Sequence, residues 1–193
     1  LIAAVAPEVE VSIVLVSSIG DKDRKSEFQA FGGVGAFTKE SEDALIAGEV
    51  DFVVHSLKDL PTKLPPELVL AAVPEREDPR DALIGVTLAE LKAGVRVGTG
   101  SIRRKAQLLA ICPDLDIKPI RGNVPPRLRK AKNREGIDAT LLAAAGLTRL
   151  GLIDEATEVL DPAVFPYAVA QGALGIEARK ADTAILDILK RLE

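Results

Sequence analysis

The sequence has no methionine, no tryptophan, one histidine and one cysteine. The lone Cys112 excludes a disulfide framework and suits a reducing compartment. The lone His55 leaves no His/Cys cluster for zinc, so no metal site is expected. No apolar run approaches the ~18 residues of a membrane span. The opening LIAAVAPEVEV lacks the basic stretch of a signal peptide. With no initiator methionine and a start inside an apolar pattern, Leu1 is expected to open a piece of a longer chain.

What is present is a globular composition: 193 residues, 47% hydrophobic and 28% charged, rich enough in Val, Ile, Leu and Ala to exclude a disordered chain. The net charge of −4 conceals an asymmetry. Between Arg96 and Arg134 stand 11 basic and 2 acidic residues, a net of +9 against −13 for the remainder. A solvated basic face would explain such a run. So would an anionic partner. The run contains no aromatic side chain for base stacking, and the sequence pI is about 5.2, so a nucleic acid is not expected. A small polyanion is the better match.

Strand-like and helix-like stretches alternate, which predicts an α/β architecture. Strands are predicted at Val9–Val16, Asp51–His55, Leu68–Val73, Val95–Gly98, Asp116–Ile120, Ile137–Ala143 and Ala173–Ala178. A polar, Gly-rich loop is predicted from Ser17 to Gly35. Helices are predicted from Thr38 to Ala47, from Ser101 to Ile111, after Asn123, from Ala144 to Leu150 and from Asp182 to Leu192. Charged Pro74–Arg80 and Pro162–Tyr167 read as crossovers between two lobes, with the last strand and helix returning to the first.

Three motifs stand where strands end. His55-Ser56-Leu57-Lys58-Asp59-Leu60-Pro61 offers Ser56 and Lys58 to anionic oxygen and Asp59 to a proton or a cation. Val97-Gly98-Thr99-Gly100-Ser101-Ile102-Arg103-Arg104 runs from strand through a Gly/Ser turn into a helix N-terminus, with two forked donors. Ile120-Arg121-Gly122-Asn123-Val124, followed by Arg127, repeats that plan. Singly, each is also what a capped helix or an exposed loop looks like. Two in one lobe, facing one cleft, favour a carboxylate-bearing ligand. Cys112 reads as packing, and His55 as a hydrogen-bonded structural residue.

These motifs, with Glu75-Arg76-Glu77-Asp78-Pro79-Arg80-Asp81-Ala82 and Gln171-Gly172-Ala173-Leu174-Gly175-Ile176-Glu177, resemble the porphobilinogen deaminase (hydroxymethylbilane synthase) family from about Val9 to the C-terminus. The resemblance implies two lobes like type II periplasmic binding proteins, each a mixed sheet flanked by helices. It divides the chain into 1–76 plus 170–193 and 77–169. It implies a cytoplasmic, monomeric transferase that condenses four porphobilinogens into hydroxymethylbilane with release of ammonia, primed by a dipyrromethane cofactor held on a cysteine. Asp59 matches the catalytic aspartate. Ser56, Lys58, Arg103, Arg104, Arg121, Arg127 and Arg149 match residues that bind the acetate and propionate groups of substrate, cofactor and growing chain. Thr99, Ser101 and Gln171 match residues lining the same cleft.

The sequence departs from the family in four places. The family's first strand would precede Leu1. Gly32-Gly33-Val34-Gly35 carries Val34 where the family has lysine, and Gly100 replaces a hydroxyl residue. The chain stops at Glu193, where the family's third domain would begin, and Cys112 does not match the cofactor cysteine, so the attachment point is unassigned. The expectation is therefore a deaminase whose 193-residue form is truncated and inactive. The competing class is a two-lobed protein that binds a carboxylated ligand without chemistry. Asp59 separates the two, because a carboxylate in the cleft does not help a binder of carboxylates.

Overall fold

The computed structural model describes residues 1–16 and 38–193. The predicted Ser17–Gly35 loop and the Val34 departure lie outside them. In chain order the elements are α1 (Ile2–Val5), α2 (Lys39–Ile46), β1 (Phe52–Ser56), β2 (Leu68–Ala72), β3 (Asp81–Ile84), β4 (Arg96–Gly98) and α3 (Ile102–Ile111). There follow β5 (Asp116–Lys118), α4 (Val124–Lys132), β6 (Ala139–Ala143), α5 (Ala144–Arg149), β7 (Glu158–Val159), β8 (Leu174–Arg179) and α6 (Thr183–Leu189). The chain divides into two compact units, Leu1–Arg76 with Ala173–Glu193, and Glu77–Gly172.

In the first unit, β8 lies between β1 and β2 and is antiparallel to both. Its described sheet is therefore antiparallel throughout rather than mixed. Ala72, Ile176, Ala178 and Leu189 form its core, with Phe52, Ile185 and Leu186 packed around them. Thr38 precedes α2, Glu40 and Glu42 stand in the helix's first turn where they suit its positive end, and Gly48 leaves the helix at φ +76°. Arg179 of β8 donates to the carbonyls of Leu45 and Val50 at 2.7 and 2.6 Å, so one guanidinium closes the end of α2. Asp182 caps α6 by accepting from the Ile185 N–H.

Val9–Val16 is not a strand. Ile13 and Leu15 are 86% and 92% exposed. A β-branched run becomes a strand only beside a partner, and none of the described strands pairs with it.

The second unit holds a five-stranded mixed sheet in the order β5-β4-β6-β3-β7. β4 runs parallel to β5 and β6, whereas β3 is antiparallel to β6 and β7. Leu83, Val97, Leu108, Leu141 and Phe165 pack one core; Ala82, Ile84, Ile120, Leu142 and Leu147 pack another. Strand residues alternate between the two clusters, as a sheet with both faces covered requires. Truncating a fully buried leucine such as Leu141 to alanine would cost about 2–5 kcal/mol.

β3 and β7 were not expected from the sequence. β3 is short, but all four of its residues are buried, and the first is Asp81.

Candidate functional site

In the first unit, β1 ends at Ser56, and Leu57–Asp59 form a single 3-10 turn. The Leu57 N–H donates to the Ala173 carbonyl at 3.0 Å, tying the turn to the start of β8. A Cβ on Gly175 would come within 2.8 Å of the Leu57 side chain, so glycine is what allows the turn to sit this close to β8. Ser56, Lys58 and Asp59 are exposed. Behind the turn, His55 Nε2 lies 3.1 Å from Glu177 Oε2, both side chains buried. His55 is thus a hydrogen-bonded structural residue, as expected.

The Gly/Ser turn lies in the second unit. Thr99 is buried, and its Oγ1 accepts from the Ser101 N–H at 3.1 Å. Ser101 caps α3, its Oγ accepting from the Arg104 N–H. Thr99 and Ser101 therefore build the turn. A Cβ on Gly100 would stand 3.1 Å from the Ile120 carbonyl, which explains glycine at this position in this chain.

Arg103 and Arg104 do not simply project into solvent. Arg104 is buried, with Nε and Nη2 on Asp81 Oδ1 at 3.2 and 2.7 Å and Nη1 on the Leu141 carbonyl at 3.0 Å. Arg103 is half-buried, with Nη2 on Asp81 Oδ2 at 2.7 Å and Nη1 on Gln107 Oε1 and the Pro166 carbonyl. Gln171, also buried, donates to Asp81 Oδ1 at 2.8 Å and to the Pro79 carbonyl. Burial favours the neutral acid at Asp81. The charge of Arg104 and the hydrogen bonds from Arg104, Gln171 and Arg103 outweigh burial and hold the carboxyl below the usual carboxylate range.

The third motif differs. Gly122 takes φ +108°, in the left-handed region that favours glycine, and turns the chain between Arg121 and the Asn123 cap. Pro125 and Pro126 occupy the first turn of α4, where no N–H is needed. Arg127 follows, and its Nε is buried without a hydrogen-bond partner among the described residues. Burial, and then the neighbouring Arg104 charge, pull its guanidinium below the usual arginine range. Arg149 is exposed and donates to the Gly172 carbonyl at 2.6 Å.

Much of the basic run is balanced by carboxylates that lie outside it in sequence. Arg96 pairs with Asp138 at 2.6 Å, and its hydrogen bonds hold that carboxyl far below the carboxylate range. Lys132 pairs with Glu155, and Arg129, Lys130 and Lys132 stand in the last turn of α4, where cations suit the helix dipole. Asp81 was the residue missed. In the sequence it stands in the Glu75–Ala82 motif without an assigned role, as an acid opening the apolar run Ala82–Ile84. Cys112 ends α3, half-buried against the core of the second unit, as a packing residue does. Among the described residues no His, Cys, Asp and Glu side chains gather as three or more, and no helix is long and apolar enough to cross a membrane.

The second of the two units carries several arginines at its helix starts, and one of them, Arg127, has a buried Nε with no hydrogen-bond partner among the described residues. The profile described as porphobilinogen deaminase, dipyromethane cofactor binding domain, matches residues 1–187. The porphobilinogen deaminase of Sorangium cellulosum (strain So ce56) is 51% identical over 98% of this chain and 64% of its own length. Those of Trichlorobacter lovleyi and Roseiflexus castenholzii are 48% and 49% identical, over 95% and 98% of this chain and 59% and 63% of theirs. The chain belongs to the porphobilinogen deaminase family and spans about three fifths of the length of these relatives. Among solved structures, lipoprotein Tp32 from Treponema pallidum superposes over 78% of this chain and 73% of its own at 15% identity with a TM-score of 0.49.

Proposed function

We propose that the chain carries the substrate-handling machinery of a hydroxymethylbilane synthase, condensing porphobilinogen units head to tail with loss of ammonia. In each step the aminomethyl C–N bond breaks. Ammonia leaves, and the pyrrole remains as an electrophilic azafulvenium cation. The free α-carbon of another pyrrole attacks it, a C–C bond forms, and the α-proton is then lost. Asp59, on the exposed turn after β1, is assigned to face that cation and to take part in moving the proton. Ser56 and Lys58 flank it as anion donors.

Every pyrrole unit brings an acetate and a propionate. Arg127 supports this reading most directly: its buried guanidinium nitrogen has no partner among the described residues, and such a group is costly unless an anion completes it. Arg103, Arg121 and Arg149 are assigned to the other carboxylates, with Thr99 and Ser101 shaping the turn beside them. Arg104 and Gln171, expected as ligand contacts, are assigned instead to support through Asp81.

A dipyrromethane primer carries the same carboxylates, and the orphaned Arg127 Nε suits such a group. When bound, it supplies the pyrrole terminus on which the chain grows. Arg127, Arg103 and Arg121 are the residues assigned to hold it. Cys112 is not assigned as its anchor. The cytoplasm and a monomeric state follow from the same reading, a single thiol being suited to a reducing compartment.

The test is intact mass before and after incubation with porphobilinogen. Under native conditions, a complex heavier than the 20.4 kDa chain by condensed pyrrole units, each lighter than porphobilinogen by one ammonia, and absent when Asp59 is replaced by Asn, is the expected result. A complex that holds only intact porphobilinogen, released unchanged on denaturation, would make the chain a binding protein.

A further inference from the structure

Asp81 is an acid at the start of a strand whose other residues are Ala82, Leu83 and Ile84. It is fully buried, and four side-chain donor contacts converge on it, two from Arg104 and one each from Arg103 and Gln171. The backbone also fixes it. Its residue pairs with Ala143 across β6, and its carbonyl accepts from the Leu160 N–H at 2.8 Å. The carboxylate is thus a rigid anchor point inside the second unit.

The two arginines meet this anchor differently. Arg104 directs Nε and Nη2 at Asp81 and Nη1 at the Leu141 carbonyl, and its side chain is 9% exposed. All three nitrogens face inward. Arg103 keeps 26% of its side chain exposed. Its Nη1 and Nη2 are clamped by Pro166, Gln107 and Asp81, and Nε makes no hydrogen bond to the described residues. The guanidinium is held by one side and leaves the other open. An arginine gripped in this way gives up its rotamer freedom on folding instead of on binding, so less ligand affinity is lost to ordering it.

We propose that Asp81 is a positioning residue for carboxylate recognition: it holds the Arg103 guanidinium in a fixed orientation with its Nε side turned to the ligand, and it ties Arg104 to the same buried anchor. This rests on the assignment of Arg103 to a ligand carboxylate above. It differs from a purely structural role, in which Asp81 would support the fold and leave the ligand indifferent to Arg103's orientation. It also differs from a brake, in which Asp81 would compete with the ligand for Arg103.

The test uses Asp81→Asn, which keeps the shape and one acceptor oxygen but removes the charge. The first readout is the Arg103 Nε–H signal in a nitrogen-correlated NMR spectrum of the full chain, where the wild type is expected to show a rigid, dispersed resonance. In Asp81→Asn that resonance moves to the free-arginine position. The second readout is porphobilinogen affinity by calorimetry. It falls by about tenfold, the worth of roughly one charge-assisted hydrogen bond, and Asp81→Asn combined with Arg103→Gln binds no worse than Arg103→Gln alone. A mobile Arg103 signal in the wild type overturns the proposal without any variant having to fold. Unchanged or tighter binding by folded Asp81→Asn overturns it in favour of a structural role or a brake. If the wild type does not bind porphobilinogen, the proposed function falls, and the arginine spectra of the two proteins alone decide whether Asp81 positions Arg103.

Discussion

Two turns in the second unit share one design and end differently. At Ser101 a strand passes through glycine into α3, and Arg103 and Arg104 follow on the first turn. At Asn123 a short strand and Gly122 lead into α4, and Arg127 follows. In the first turn the guanidinium groups meet Asp81. In the second, Arg127 Nε has no hydrogen-bond partner among the described residues. The difference is one carboxylate, supplied by a strand some twenty residues upstream. An arginine motif therefore does not say whether its charge is used by the protein or kept for a ligand.

The largest effect should come from removing that carboxylate altogether. Asp81→Ala leaves two arginines facing a buried gap, and denaturant unfolding should show a loss of about 3–5 kcal/mol. A loss under about 1 kcal/mol would mean that the cluster gains little from its ion pairs. The complementary change, Arg127→Gln, should cost no stability, because the charge it removes has no partner among the described residues, while porphobilinogen affinity drops by at least about tenfold.

Acid provides a graded version of the first experiment. The Asp81 carboxyl lies below its unfolded value, so its contribution is complete above about pH 3.9 and is lost as pH falls through the folded value. The unfolding free energy of Asp81→Asn should fall less steeply than that of the wild type over that acid range. Parallel curves would exclude Asp81 as the source. The smallest effect is expected from Arg103→Leu. It should weaken binding about tenfold, no less than Asp81→Asn does, since one forked donor among several is removed. Unchanged affinity would place Arg103 away from the ligand.

Much of the fold was legible in the sequence. Ser101 and Asp182 cap helices through their side chains and Gly48 ends one, as their chemistry predicts, whereas Asn123 stands at the N-cap position of α4 without a side-chain capping hydrogen bond. β8 and the turn that holds Asp59 stand close to where the alternation of strands and loops puts them. Val9–Val16 misled because β propensity states what a segment can do beside a partner, and the described residues give it none. β3 was hidden because a buried Asp at its head disguises a strand as the tail of a charged crossover.

The site was less legible than the fold. Spacing along the chain brings Arg103 and Arg104 to the turn, but whether they are paired depends on Asp81 and Gln171, 22 and 68 residues from Arg103. The excess of charge between Arg96 and Arg134 likewise shrinks once Asp138 and Glu155 pair with Arg96 and Lys132. Only tertiary contact distinguishes Arg127 from its neighbours.

The most direct test is to measure unfolding free energy and porphobilinogen affinity side by side for Arg127→Gln and Arg104→Gln. Arg104→Gln should lose stability, about 3–5 kcal/mol for breaking a buried pair, and Arg127→Gln should lose affinity while keeping its stability. The reverse result, a destabilised Arg127→Gln that still binds porphobilinogen normally, would contradict the division between an arginine that holds the protein together and one that waits for the ligand.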